Sequence, residues 1–123
     1  GWMTPFRAAK ARVVGPLMLE MVRRAHEGGV TIAFGTDSGV SAHGDNAREF
    51  LLYTMAGMTE MEALATATTV GARHVQLEDE IGRIAPGFSA DIVATNGDPL
   101  ENIEELMDID FVMARGVVHK NEE

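Results

Sequence analysis

Residues 35–39 read Gly-Thr-Asp-Ser-Gly and follow the apolar run Val30-Thr31-Ile32-Ala33-Phe34. A carboxylate just past the C-terminal end of a parallel strand stands where barrels and open α/β folds place their active sites. Glycines on both sides let the backbone approach a ligand closely and leave Asp37 accessible. The bland alternative for Asp37 is a turn or cap residue. Six residues on, His43-Gly44-Asp45-Asn46 with Glu49 is near enough in the chain to line the same pocket. There the alternative is that Asp45 or Asn46 caps a helix and His43 is a loop residue. His26, His74 and His119 are isolated and read as helix-end or surface residues. No Ser or Cys sits in a nucleophile elbow, and no phosphate loop or dinucleotide fingerprint is present, which demotes a nucleotide-binding domain. With no cysteine in the chain, a disulfide scaffold and any thiolate metal site are excluded.

The elements that must hold these residues can be read from periodicity. Residues 6–14 favour a helix, and Gly15-Pro16 is expected to interrupt it, because proline lacks a donor and clashes with the preceding turn. Pro16 then opens a second helix whose apolar stripe is Leu17, Met18, Met21, Val22 and Ala25, ending at Gly28-Gly29. Residues 30–35 read as a buried strand with bulky Val30, Ile32 and Phe34 on one face and Thr31, Ala33 and Gly35 on the other. Asp37 is in phase with the small face. After a polar, glycine-rich loop, Asn46 is expected to cap a helix with Glu49 completing a capping box, the helix ending at Gly57. Thr59 and Glu62 form a second capping box, with Met61, Leu64, Ala65, Thr68, Ala72 and Val75 as the following stripe. The methionines of these two helices are expected to be core filler rather than a cofactor box. Beyond Glu80 the chain turns to short β pieces: 91–95, a short helix at 101–107, then 109–114 and 117–119 around a tight Arg115-Gly116 hairpin. No internal repeat or low-complexity linker is present. The order suggests one α/β layer followed by a separate small sheet.

The chain has 123 residues, 46% hydrophobic and 24% charged, the composition of a globular domain. Residues 1–29 carry five Lys/Arg against two Asp/Glu and residues 30–123 carry five against seventeen, for a net charge of −9. A nucleic-acid partner would need a basic face, which only the short opening segment offers, so none is expected. The acidic runs at 78–80, 101–110 and 122–123 read as solvated surface and tail. The uncharged stretch at 28–36 is too short to cross a bilayer, and no membrane association is expected. The opening GWMTPFRAAK has no apolar run after its positive charges, so no secretory signal is expected there.

Four blocks then carry a resemblance: GGVTIAFGTDSGVSAHGDNAREF, AGMTEMEALATATTVGA, IGRIAPGFSADIVATNGDPLENI and FVMARGVV. In this order, from about Leu17 onward, they resemble the C-terminal part of a metal-dependent amidohydrolase of the prolidase-like and imidazolonepropionase-like branch. The resemblance implies an α/β fold: the last part of a (β/α)₈ TIM barrel over residues 1–80, and a C-terminal β segment of a composite sandwich domain over 81–123. It implies that residues 30–35 are the eighth strand and that Asp37 is its terminal aspartate. That residue would ligate a divalent metal, usually zinc, or hydrogen-bond the metal-bound water and shuttle its proton during hydrolysis of an amide or peptide C–N bond. His43 and Asn46 resemble an HG-x-N block and would contact the substrate, a small amide or dipeptide.

The same resemblance places the remaining metal ligands upstream: a His-x-His on the first strand, a bridging lysine or glutamate, and two later histidines. Within residues 1–34 the only histidine is His26, which does not substitute for them. The expectation is therefore a C-terminal piece of the barrel, inactive alone, that pairs with a second copy or with the missing N-terminal part. A non-catalytic α/β interaction module is the competing expectation. The compartment stays open, cytoplasmic by default, because a signal would lie upstream.

Overall fold

The computed structural model describes residues 4–39 and 42–122. The first three residues of the basic opening, two residues of the polar loop and Glu123 of the acidic tail lie outside the described residues.

Helix α1 spans Pro5–Glu27 without interruption, with Pro16 inside it. The expected break at Gly15-Pro16 does not occur. Residues 9–18 are all exposed, so water can solvate the carbonyl that Pro16 deprives of its donor. Thr4 caps the start by accepting the Arg7 N–H at 3.3 Å. The Gly28-Gly29 stop forms as read: Gly28 donates to Arg24 O at 3.0 Å and Val30 to Ala25 O at 2.9 Å, with Gly29 at φ 74°. The expected stripe is only partly used. Val22 packs on the core, while Leu17, Met18 and Met21 stay exposed.

Residues 30–35 are extended but belong to no sheet. A strand needs a neighbour to pair with, and residues 31–33 make no backbone–backbone hydrogen bond to other described residues. The segment is held from its bulky side instead. Ile32 and Phe34 pack against Tyr53, Met58 and Ala63, with Phe50 and Val22 alongside. The Phe34 ring stacks on Phe50 at 4.6 Å and meets Tyr53 edge-on at 6.1 Å. Such ring pairs contribute about 0.5–1.5 kcal/mol each beyond the area they bury.

A short 3-10 helix, Asp45–Ala47, leads into α2, Arg48–Met55. Asn46 lies inside that turn and caps nothing, so the first expected capping box is absent. The second forms completely. Thr59 Oγ1 accepts the Glu62 N–H at 3.2 Å, and Glu62 Oε2 accepts the Thr59 N–H at 2.8 Å, opening α3, Glu60–Ala67.

The expected continuous helix to Val75 breaks at Thr68 (φ −112°, ψ −98°), and α4 runs from Thr69–His74. Threonine hydroxyls contribute to the break: Thr66 donates to Ala63 O at 2.6 Å and Thr68 to Leu64 O at 2.9 Å. It releases the Thr66 carbonyl, which accepts the Phe34 N–H at 3.0 Å and so anchors the extended segment. The buried positions of this region are Ala63, Thr66 and Ala72 rather than the whole expected stripe; Met61 and Val75 are exposed. Gly82 seals the break from outside, because a Cβ there would stand 2.7 Å from the Thr68 carbonyl.

The last third forms an antiparallel three-stranded sheet in the order β1 (Ile92–Ala94), β2 (Phe111–Ala114), β3 (Val117–Asn121). The hairpin is the one read from the sequence. Ala114 faces Val117 across Arg115 (φ 50°) and Gly116 (φ 76°), both left-handed as a two-residue turn of the primed kind requires. Between β1 and β2 a 3-10 helix, Ile103–Met107, buries Ile103 and Leu106 and packs against α2.

Candidate active site

The extended segment ends at Gly35, and Asp37 leaves it in the left-handed region at φ 48°. That conformation is uncommon for a residue with a side chain. The two other non-glycine residues that adopt it among the described residues have structural reasons. Gln76 closes α4, donating to Arg73 O at 3.1 Å, and Arg115 makes the hairpin turn. Asp37 closes no helix and turns no hairpin. Its side chain is exposed and makes no hydrogen bond or ion pair to the described residues, and a turn follows it at Ser38-Gly39. A carboxylate at positive φ, exposed and unengaged among the described residues, is open to a ligand.

Around it the loop is tied together. Thr36 Oγ1 and Ser38 Oγ share a hydrogen bond at 2.9 Å. Asn46 Nδ2 donates to Thr36 Oγ1 at 3.1 Å, and Asn46 Oδ1 accepts the Gly44 N–H at 3.3 Å. The structure thus brings Asn46 to the shoulder of Asp37. His43 sits exposed one residue before Gly44, without a polar partner among the described residues. Thr36 and Ser38 were not singled out from the sequence; the available signal was a hydroxyl on each side of the candidate carboxylate.

Behind the loop, Tyr53 is 4% exposed, with the Gly35 N–H near its hydroxyl. Burial raises the Tyr53 pKa, and the charge of Glu49 one turn earlier adds to the rise; the Gly35 N–H opposes both. Burial likewise raises the Glu49 carboxyl, which borders an apolar groove of about 510 Å³ between α1 and α2 with Pro16, Met18, Leu19 and Leu52. On the small face of the extended segment, Thr31 and Ala33 line a depression of about 330 Å³ with Arg73 and His74. His26 approaches Glu62 at 3.8 Å near the end of α1, and His119 is exposed on β3. Among the described residues no three His, Cys, Asp or Glu side chains gather closely enough to hold a metal ion. The donor set of this chain therefore does not fit a metal centre by itself.

Residues 7–118 match the amidohydrolase family. The chain belongs to that family. Among curated amidohydrolase relatives, the ochratoxinase of Aspergillus niger is 33% identical over 98 residues, which are 78% of this chain and 20% of that protein. Among solved structures, a Xaa-Pro dipeptidase with methionine bound in its active site is 41% identical, with a TM-score of 0.87 over 92% of this chain and 28% of that one. A prolidase in complex with N-methylphosphonate-L-proline is 32% identical, with a TM-score of 0.85 over 98% of this chain and 30% of that one. The chain thus spans well under half the length of the relatives it matches. Its small α/β architecture is shared with amidohydrolase-fold structures over nearly its whole length.

Proposed function

We propose that this chain is the C-terminal part of a hydrolase that cleaves an amide or peptide C–N bond in a small substrate, with Asp37 as its base. Residues 1–80 would supply the last helices and eighth strand of a (β/α)₈ barrel, and residues 81–123 part of a composite β-sandwich. The observation that carries the reading is Asp37 itself, a carboxylate unengaged among the described residues and held at positive φ at the end of an extended segment. Membership of the amidohydrolase family, and relatives that include a Xaa-Pro dipeptidase and a prolidase, support the bond type.

Asp37 would take a proton from the water attacking the substrate carbonyl. It would then return that proton to the amine nitrogen as the C–N bond breaks, so the carboxylate is regenerated with one acid and one amine as products. An exposed carboxylate with no competing partner suits that role. His43, exposed on the adjoining loop, would contact the substrate, with Asn46 beside it. A divalent metal, zinc in the reading by resemblance, would need ligands from outside this chain, and no step described here runs through one.

A second reading, a non-catalytic α/β module, is favoured by the same lack of a metal-holding cluster among the described residues. One experiment separates the two. The chain is exchanged for the matching segment of the Xaa-Pro dipeptidase, and the folded chimera is given Xaa-Pro dipeptides. Hydrolysis above the truncated dipeptidase supports the enzyme reading; a folded chimera without C–N hydrolysis contradicts it.

A further inference from the structure

We propose that Thr36 and Asn46 are positioning residues for Asp37, a hydroxyl–amide clamp that sets the backbone of the turn and so the place of the carboxylate. The purpose of the clamp rests on the hydrolase reading above; its geometry does not. Asn46 was read from sequence as a cap or a substrate contact, and its amide is turned inward to other work. Nδ2 donates to Thr36 Oγ1 at 3.1 Å, one residue before Asp37, and Oδ1 accepts the Gly44 N–H at 3.3 Å, one residue after His43. One side chain therefore ties together the two loop stretches that carry the candidate site residues.

Thr36 passes the constraint on. Its hydroxyl shares a hydrogen bond with Ser38 at 2.9 Å, so the residues on both sides of Asp37 are linked to each other while Asp37 is left out of the network. Thr36, Ser38 and Asn46 are half-buried, and Asp37 between them is exposed. A hydrogen bond shielded from water is worth more than one at the open surface. Asp37, at φ 48° and directly before the turn at Ser38-Gly39, is spanned by the Thr36–Ser38 link. Asn46 sits in the 3-10 helix that leads directly into α2, so the clamp transmits the position of a packed helix to the turn.

The test is the φ angle of Asp37, read by NMR on the full chain. A positive φ brings the amide hydrogen close to the residue's own Hα and gives a strong intraresidue NOE. In the wild type Asp37 should show a cross-peak as strong as those of Gln76 and Arg115, the other non-glycine left-handed positions among the described residues. Thr36→Val keeps the shape and deletes the hydroxyl. It should weaken the Asp37 cross-peak roughly five-fold as φ returns to negative values, while Gln76 and Arg115 are unchanged. Thr36→Ser should restore the wild-type strength, and Asn46→Ala should act like Thr36→Val. If Thr36→Val does not fold, the comparison of Asn46→Ala with Thr36→Ser decides the matter. A weak Asp37 cross-peak in the wild type overturns the proposal. So does a strong one that survives the loss of either partner with the two control positions intact. No substrate enters the measurement, so a negative result removes the clamp and leaves the hydrolase reading to its own test.

Discussion

The chain should self-associate at micromolar concentration, and the double substitution Leu17→Lys, Met21→Lys should make it dissociate there. A folded monomer of 13.3 kDa exposes about 6,500 Å² by the usual scaling of surface with mass. This chain exposes 8902 Å². The excess, about 2,400 Å², is the size of one partner's share of a large obligate interface. Part of it lies on α1, where Val13, Leu17 and Met21 are 66%, 63% and 55% exposed at a spacing of four residues, hence on one face. Burying a whole Leu or Met side chain is worth about 1.5–3 kcal/mol, so covering the exposed part of each returns about 1–2 kcal/mol. Losing both should cost about 2–4 kcal/mol per protomer, a weakening of at least roughly thirty-fold in Kd. Residues 31–33, with their unpaired backbone, supply a second surface open to β pairing across copies. Light scattering across a dilution series from high to low micromolar checks both points. A wild-type chain that stays a compact monomer and unfolds cooperatively would refute the reasoning. An unchanged constant in the double variant would remove α1 from the interface.

Two further outcomes are expected. Thr59→Ala should cost about 1 kcal/mol, read as a lower urea midpoint, because it removes the cap from the Glu62 N–H. Bonds from the Thr59 N–H and hydroxyl, with His26 nearby, hold the Glu62 carboxyl below its ordinary value of 4.5. A depressed carboxyl stabilises the fold above its unfolded pKa and loses that contribution as pH falls through the folded value. The penalty of Thr59→Ala should therefore be full at neutral pH and shrink below about 4.5; a midpoint that does not move at pH 7 would show that the box does not form. The isolated chain should also lose zinc on dialysis against a weak chelator, since three protein ligands are usual in a catalytic site and no such group gathers among the described residues. Stoichiometric retention would overturn this and imply ligands shared between copies.

Local chemistry was legible in the sequence wherever a few adjacent residues settle the outcome. The Thr59–Glu62 box, the Gly28-Gly29 stop and the Arg115-Gly116 hairpin each depend on side chains and φ values within four residues, and all three form. What could not be read depends on partners distant in the chain, or on their absence. Pro16 stays inside α1 because the surrounding stretch is open to water. Residues 30–35 have the pattern of a strand, but pattern alone provides no neighbour. The break at Thr68 goes with an anchor 34 positions earlier, since the freed Thr66 carbonyl binds the Phe34 N–H. Asn46 has the composition of a cap, and the amide was drawn instead to Thr36, ten residues back. At the site, the candidate carboxylate was visible from its place between two glycines, whereas the hydroxyls that flank it became meaningful only once the loop had closed.

The central claim is that Asp37 is the group that moves the proton. In the chimera that carries this chain within the dipeptidase barrel, Asp37→Asn keeps the size of the side chain and removes the base. The kcat should fall roughly a thousand-fold or more, with an unchanged fold by circular dichroism. Turnover near that of the unsubstituted chimera would contradict it.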